Sequence, residues 1–209
     1  KTWSGKVFEQ EFWITKRFVM SKIYILNAPP NSGKDTLGDY LVKEHCWHKE
    51  QMKTPLFTIA AAMLGLNLEQ FVLLYSSREW KETYHQTIKM TPRQLLILVS
   101  EDFVKPICGK NAFGILATRR LLLQDIDKNT VFSDGGFVEE IKPLVDTFGK
   151  ENIVVIRIHR KGCTFDGDSR NYITDRQADE LGINIHDFYN DEQPLETLYE
   201  DFVHFIGFD

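Results

Sequence analysis

Apolar residues along the chain follow two patterns. Residues 23–26 and 153–158 are short, mostly apolar, partly β-branched runs, and 130–134 and 185–189 are similar but mixed with polar residues. Such runs predict strands buried on both faces, as in a parallel sheet covered by helices. Between them apolar positions recur three and four residues apart, which predicts helices. Leu37 and Leu41 mark the first, and 56–64, 68–75, 111–123, 137–148 and 194–206 mark others. Thr91 before Pro92 reads as a cap and a first helical position, placing Leu95, Leu96, Val99 and Phe103 on one apolar face. No internal repeat and no Pro/Ser/Gly-rich linker divides the alternation. The expected fold is a three-layer α/β domain over residues 20–209, with a parallel sheet and a helical insertion at about 55–123. Residues 1–19 stand apart. Positions 7–18 are rich in Phe, Trp, Ile and Val, interrupted by Glu9, Glu11, Lys16 and Arg17, without the pattern of a secretory signal. They are expected to be an added element, a docking segment or an extension, with the fold starting near Met20.

Composition narrows the function. With 209 residues, 43% hydrophobic and 26% charged, the chain has the makings of one folded core. Lys plus Arg number 25 against 30 Asp plus Glu, a net charge of −5. That lacks the basic surplus of a general nucleic-acid binder. No apolar run approaches the roughly 20 residues that cross a bilayer. Neither stable nucleic-acid binding nor a membrane partner is expected, and a homodimer is left open. Cys46, Cys108 and Cys163 form no Cys-x-x-Cys pair, which favours a reducing, cytoplasmic compartment. His45-Cys46-Trp47-His48 has metal-ligand residue types but no partner cluster, and reads as a polar helix end.

The most specific chemistry follows the first run. Residues 23–26 lead into Asn27-Ala28-Pro29-Pro30-Asn31-Ser32-Gly33-Lys34-Asp35-Thr36 and then a helix. Strand, turn, Gly-Lys and helix are the parts of a phosphate-binding loop. Backbone N–H groups and the positive helix end converge on a polyphosphate, and the lysine reaches its outer oxygens. Asn31, Ser32, Gly33, Lys34, Asp35 and Thr36 are therefore the candidate ATP phosphate ligands. Ala28 replaces the first glycine of the usual motif, and Asp35 its Ser/Thr. Asp35 and Thr36 are candidates to support Mg2+. So is Asp134, an acid at the end of a strand, where sheet ligands bind.

Ser-Gly-Lys-Asp-Thr at 32–36 resembles the loop of the deoxynucleoside monophosphate kinases of tailed bacteriophages, in which an Asp after the lysine is usual. Further blocks are similar in order: Arg78-Glu79-Trp80-Lys81-Glu82, Met90-Thr91-Pro92-Arg93-Gln94-Leu95-Leu96, Ser100-Glu101-Asp102-Phe103-Val104-Lys105 and Asp134-Gly135-Gly136-Phe137-Val138-Glu139-Glu140. Asn190-Asp191 resembles the turn beside the adenine site. The sequence departs from the pattern at Lys105 and Gly136, each standing where the family has arginine. The resemblance implies a P-loop kinase fold and an ATP- and Mg2+-dependent phosphoryl transfer to a deoxynucleoside monophosphate. Host cytoplasm is the implied setting. Lys81, Arg93, Lys105 and Glu140 become the substrate-binding candidates. Arg93 also stands at a helix start, where its charge and the helix dipole both favour an anion.

After the run at 153–158 the chain turns polar through about 160–175. A strand running into an Arg-bearing loop suits a kinase lid, with Arg160 and Arg170 closing over the transferred group beside Lys34. Two alternatives stand beside this reading. One is a kinase of another small phosphorylated metabolite, since phosphomevalonate kinases have similar loops. The other is a nucleotide-binding regulatory module without turnover, for which Ala28 and Gly136 speak.

Overall fold

A computed structural model describes residues 21–124, 127–168, 170–191 and 193–207, so the expectations for 1–19 lie outside the described residues. Strands β1 (Ile23–Asn27), β2 (His48–Glu50), β3 (Thr130–Phe132), β4 (Ile153–Arg160) and β5 (Asn184–Asn190) form one sheet in the order β2-β3-β1-β4-β5. Every pairing is parallel, with Ile25 opposite Phe132 on one side and Val155 on the other. β1 therefore sits at the switch point, where connections leave to opposite sides and ligands bind beyond the strand ends.

The continuous apolar runs serve both sheet faces, as expected. Tyr24 and Leu26 join Leu37 and Leu41 of α1 (Lys34–His45), with Val131, Ile156, Leu198 and Phe202. Ile23 and Ile25 face the opposite cluster, with Phe132, Ile141, Leu144 and Val155. That second layer is built from α2 (Thr54–Met63), α3 (Leu68–Tyr75), α4 (Arg78–Glu82), α5 (Pro92–Ile97), α6 (Lys105–Cys108), α7 (Ala112–Leu123), α8 (Val138–Phe148) and α9 (Asp175–Leu181). Helix α10 (Leu195–Phe205) returns to the first layer beside α1. Burying each large apolar side chain contributes about 1.5–3 kcal/mol.

Between β2 and β3 the helices have their own aromatic centre. Phe71 is fully buried, with ring centroids 5.2 Å from Phe57, 5.4 Å from Tyr75 and 5.6 Å from Trp80. These contacts tie α2, α3 and α4 together, each pair adding about 0.5–1.5 kcal/mol beyond area burial. Among the described residues no single helix is long and apolar enough to cross a membrane.

Two local expectations fail, each for a physical reason, and one helix appears that the pattern does not mark. Residues 45–48 are not all a helix end: His48 begins the edge strand β2, after Cys46 breaks α1 with a left-handed φ of 56°. Three residues are too few to show a strand period. Phe103 is not on the apolar face, being 54% exposed. Leu98–Val104 is a π-helical stretch, so the residue below buried Val99 is Val104, five positions on. The polar stretch after β4 ends in helix α9, started by a capping box between Thr174 and Gln177.

Candidate functional site

The loop between β1 and α1 is wound by two residues with positive φ, Asn31 (64°) and Gly33 (94°), on either side of Ser32. An alternation of this kind is the backbone form that can present successive N–H groups to an anion, here at the start of α1. Ser32 is fully buried and works inside the loop, its Oγ donating to Pro29 O at 2.8 Å. Lys34 folds back along the loop and donates from Nζ to the same carbonyl at 3.1 Å. Burial lowers the Lys34 pKa, with Asp35 opposing the shift and Arg170 adding to it. A cavity of about 380 Å3 opens here, lined by Asn31, Gly33, Lys34, Asp35, Thr36 and Arg160. Arg160, at the end of β4, donates from Nη1 to Asn31 O at 3.2 Å.

Gly33 is fixed twice over. Its φ favours glycine, and a Cβ there would stand 2.8 Å from Asn190 Nδ2. Asn190, at the end of β5, donates from that atom to Ser32 O at 3.0 Å and braces the loop from outside. Ala28 is a different case. Among the described residues it is not one of those with positive φ, and its methyl is buried with Leu26 and Leu37. Alanine therefore replaces the motif glycine without backbone strain.

Three further cations belong to the helical region. Arg93 follows the Thr91–Gln94 capping box and donates from Nε to Glu82 Oε1 at 2.6 Å. Lys81 lies over the Tyr75 ring at 4.7 Å, and Lys53 over the Phe57 ring at 5.2 Å. Burial lowers the Lys81 pKa first, and the charges of Arg93 and Lys53 lower it further, while Glu82 and Asp35 oppose. Lys34 in turn feels Lys53. Electrostatic coupling thus links Lys53 to both Lys34 and Lys81, and Lys81 to Arg93.

Lys53 had no signal in the sequence, because its place depends on a contact across 81 residues. Asp134, just beyond β3, accepts from the backbone N–H of Met52 at 3.0 Å and of Lys53 at 3.1 Å. Both carboxylate oxygens are thus engaged in fastening the β2–α2 turn to the sheet. Asp35 accepts from Ser133 Oγ at 2.7 Å and lines the cavity beside Thr36. Among the described residues no group of three or more His, Cys, Asp or Glu is arranged to hold a metal ion. One carboxylate and one hydroxyl at a phosphate cradle nevertheless fit Mg2+, which keeps its waters and binds chiefly through substrate phosphates.

Lys105 and Glu140 gather on another side. Lys105 pairs with Glu101 Oε1 at 2.5 Å and lies 4.9 Å over the Phe137 ring. Glu140 is buried, and this raises its carboxyl pKa to about 8, with Asp134 adding and Lys105 and Arg170 opposing. Near neutral pH it is mostly protonated. Arg170 reaches this region, its Nη1 donating to Asp134 O at 3.4 Å, while Asp168 holds its fork at 2.9 and 2.6 Å.

No protein-family model matches the sequence, and no curated protein matches it. Among solved structures it is similar to a gluconokinase from Sinorhizobium meliloti 1021, at 11% identity and a TM-score of 0.38. That likeness covers 92% of this chain and 99% of the gluconokinase chain. At this level it carries no weight for fold or substrate. The architecture rests on the chain itself: an α/β domain with a five-stranded parallel sheet, helices on both faces, and an anion cradle at the switch point.

Proposed function

We propose that the chain is a P-loop kinase that uses ATP and Mg2+ to phosphorylate a deoxynucleoside monophosphate. The observation that carries this is the loop at 31–36, where two residues of positive φ flank Ser32 and Lys34 lines an open cavity. The cradle at 31–36 suits a polyphosphate, and Lys53, Lys81 and Arg93 suit an acceptor that already bears a phosphate. The ordered resemblance to the phage kinases gives the nucleotide class.

In this reading Lys34 and the loop amides hold the β- and γ-phosphates, and Arg160 closes the outer side. An oxygen of the acceptor phosphate attacks the γ-phosphorus in line, the bond to the β-bridging oxygen breaks, and ADP leaves. Mg2+, supported by Asp35 and Thr36, offsets charge on the phosphates when bound. No strong base is required, so positioning and charge neutralisation do the work. Glu140, mostly protonated, offers a hydroxyl donor toward the acceptor, and Lys105 balances it when ionised. Asp134 supports the acceptor side through Lys53 and stands back from the metal, since its oxygens hold the Met52 and Lys53 amides.

The test is to incubate the protein with ATP, Mg2+ and each deoxynucleoside monophosphate, with phosphomevalonate and gluconate as comparators, and to separate the products. Diphosphate from at least one deoxynucleotide is expected. Turnover only with a comparator, or with none, overturns the proposed substrate class.

A further inference from the structure

Arg170 is docked unusually closely for a loop arginine. Its stem runs over Gly136, where a Cβ would stand 2.9 Å from Arg170 Cδ and 3.1 Å from Cγ. Among the described residues Gly136 is not one of the glycines with positive φ, so it is the arginine stem that needs the missing side chain there. The guanidinium edge best suited to grip a phosphate, Nε with Nη2, is taken by a carboxylate of the same loop. Asp168 accepts from Nε at 2.9 Å, from Nη2 at 2.6 Å, and from the Arg170 backbone N–H at 3.0 Å.

That carboxylate is only 13% exposed. Burial works against its charge, yet the Arg170 hydrogen bonds and the field of Lys34 hold its pKa below the ordinary value. Arg93, at the start of α5, feels it as well. Arg170 thus holds this carboxylate directly, while Lys34 and Arg93 act on it through their charge.

We propose that Asp168 is an internal stand-in for a substrate phosphate, occupying the guanidinium fork of Arg170 until a ligand's oxygens replace it, which rests on the phosphate-site reading above. Binding a polyphosphate therefore means breaking the Asp168–Arg170 fork. The chain raises its own threshold for ligands, and weak anions that cannot bridge Lys34 and Arg170 are rejected.

The experiment is calorimetric titration of the full chain with inorganic tripolyphosphate. Asp168→Asn keeps the side-chain shape and removes the competing charge. Its affinity should rise about tenfold, the scale of one charge-assisted contact that no longer has to be broken. Asp179→Asn, an exposed site on α9, changes net charge equally and should leave affinity near wild type. Unchanged or weaker binding by folded Asp168→Asn overturns the proposal, as does an equal gain in both variants. Should the Asn variant not fold, wild type decides the matter. The Arg170 Nε–H resonance, assigned through Arg170→Lys, should shift on saturation with tripolyphosphate, and an unmoved signal overturns the proposal. A tenfold gain in a protein that phosphorylates no nucleotide would sink the kinase reading and keep this one. Full kinase activity with no gain would do the reverse.

Discussion

Replacing Gly33 with alanine tests the central brace of the site. Two costs can be read from the geometry. At φ 94° and ψ 1° an alanine is strained, by about 1–2 kcal/mol for a left-handed conformation. Its Cβ would also lie 2.8 Å from Asn190 Nδ2, which must move away from Ser32 O. Asn190 is only 4% exposed, so the displaced amide and the carbonyl it leaves cost a further 1–2 kcal/mol, roughly. The total is about 2–4 kcal/mol, or a fall in Tm of roughly 5–15 °C for a chain of this size. Asn190→Ala alone should cost about 1–2 kcal/mol, the lost hydrogen bond. In the double variant the clash has no partner and the hydrogen bond is lost only once. Its cost should then be smaller than the two single costs combined, by about 1–2 kcal/mol. Urea denaturation followed by circular dichroism measures all four corners of this cycle. Strict additivity, or a Gly33→Ala cost below about 0.5 kcal/mol, would show that Asn190 does not brace the loop.

Other consequences can be measured separately. Lys34→Ala should lower turnover by at least about a hundredfold while leaving the circular dichroism spectrum intact, because in the proposed reading its ammonium, now on Pro29 O, neutralises the transferring phosphates. Glu140 should make stability fall as pH rises. Its folded pKa of about 8 lies above the ordinary carboxyl value of 4.5, so between these the native state holds a proton that the unfolded chain has released. The protein is unpenalised below pH 4.5 and bears the full cost above pH 8, so Glu140→Gln should flatten the slope in that window and gain a few kcal/mol above it, seen in denaturation midpoints across pH. Asp134→Ala should cost about 2–4 kcal/mol in urea melts, through the two amides it releases, and should raise KM for the acceptor more than for ATP as Lys53 loses its place. An equal change in both constants would detach Lys53 from the acceptor site.

Much of the frame was legible because its signals are local. Runs such as Ile153 to Ile158 are buried on both sides whatever their neighbours, so their composition gives away β4. Thr91 and Pro92 start a helix through contacts within four residues, and Gly33-Lys34 announces the cradle through backbone geometry alone. Where a widened helical turn or a three-residue edge strand intervenes, as at Phe103 and His48, the local period misleads.

Local signals along the chain were enough for the parallel α/β architecture and the Gly33-Lys34 loop, since run composition, helix caps and a turn glycine act through near neighbours. Contacts in three dimensions added that Asp134 fastens the Lys53 amide, that Asn190 braces the loop, and that Asp168 fills the fork of Arg170 above Gly136. Asn190 meets the loop across 158 residues and Asp134 reaches the Lys53 amide across 81. Such contacts depend on sheet order and on which strand ends meet, and no residue spacing encodes that.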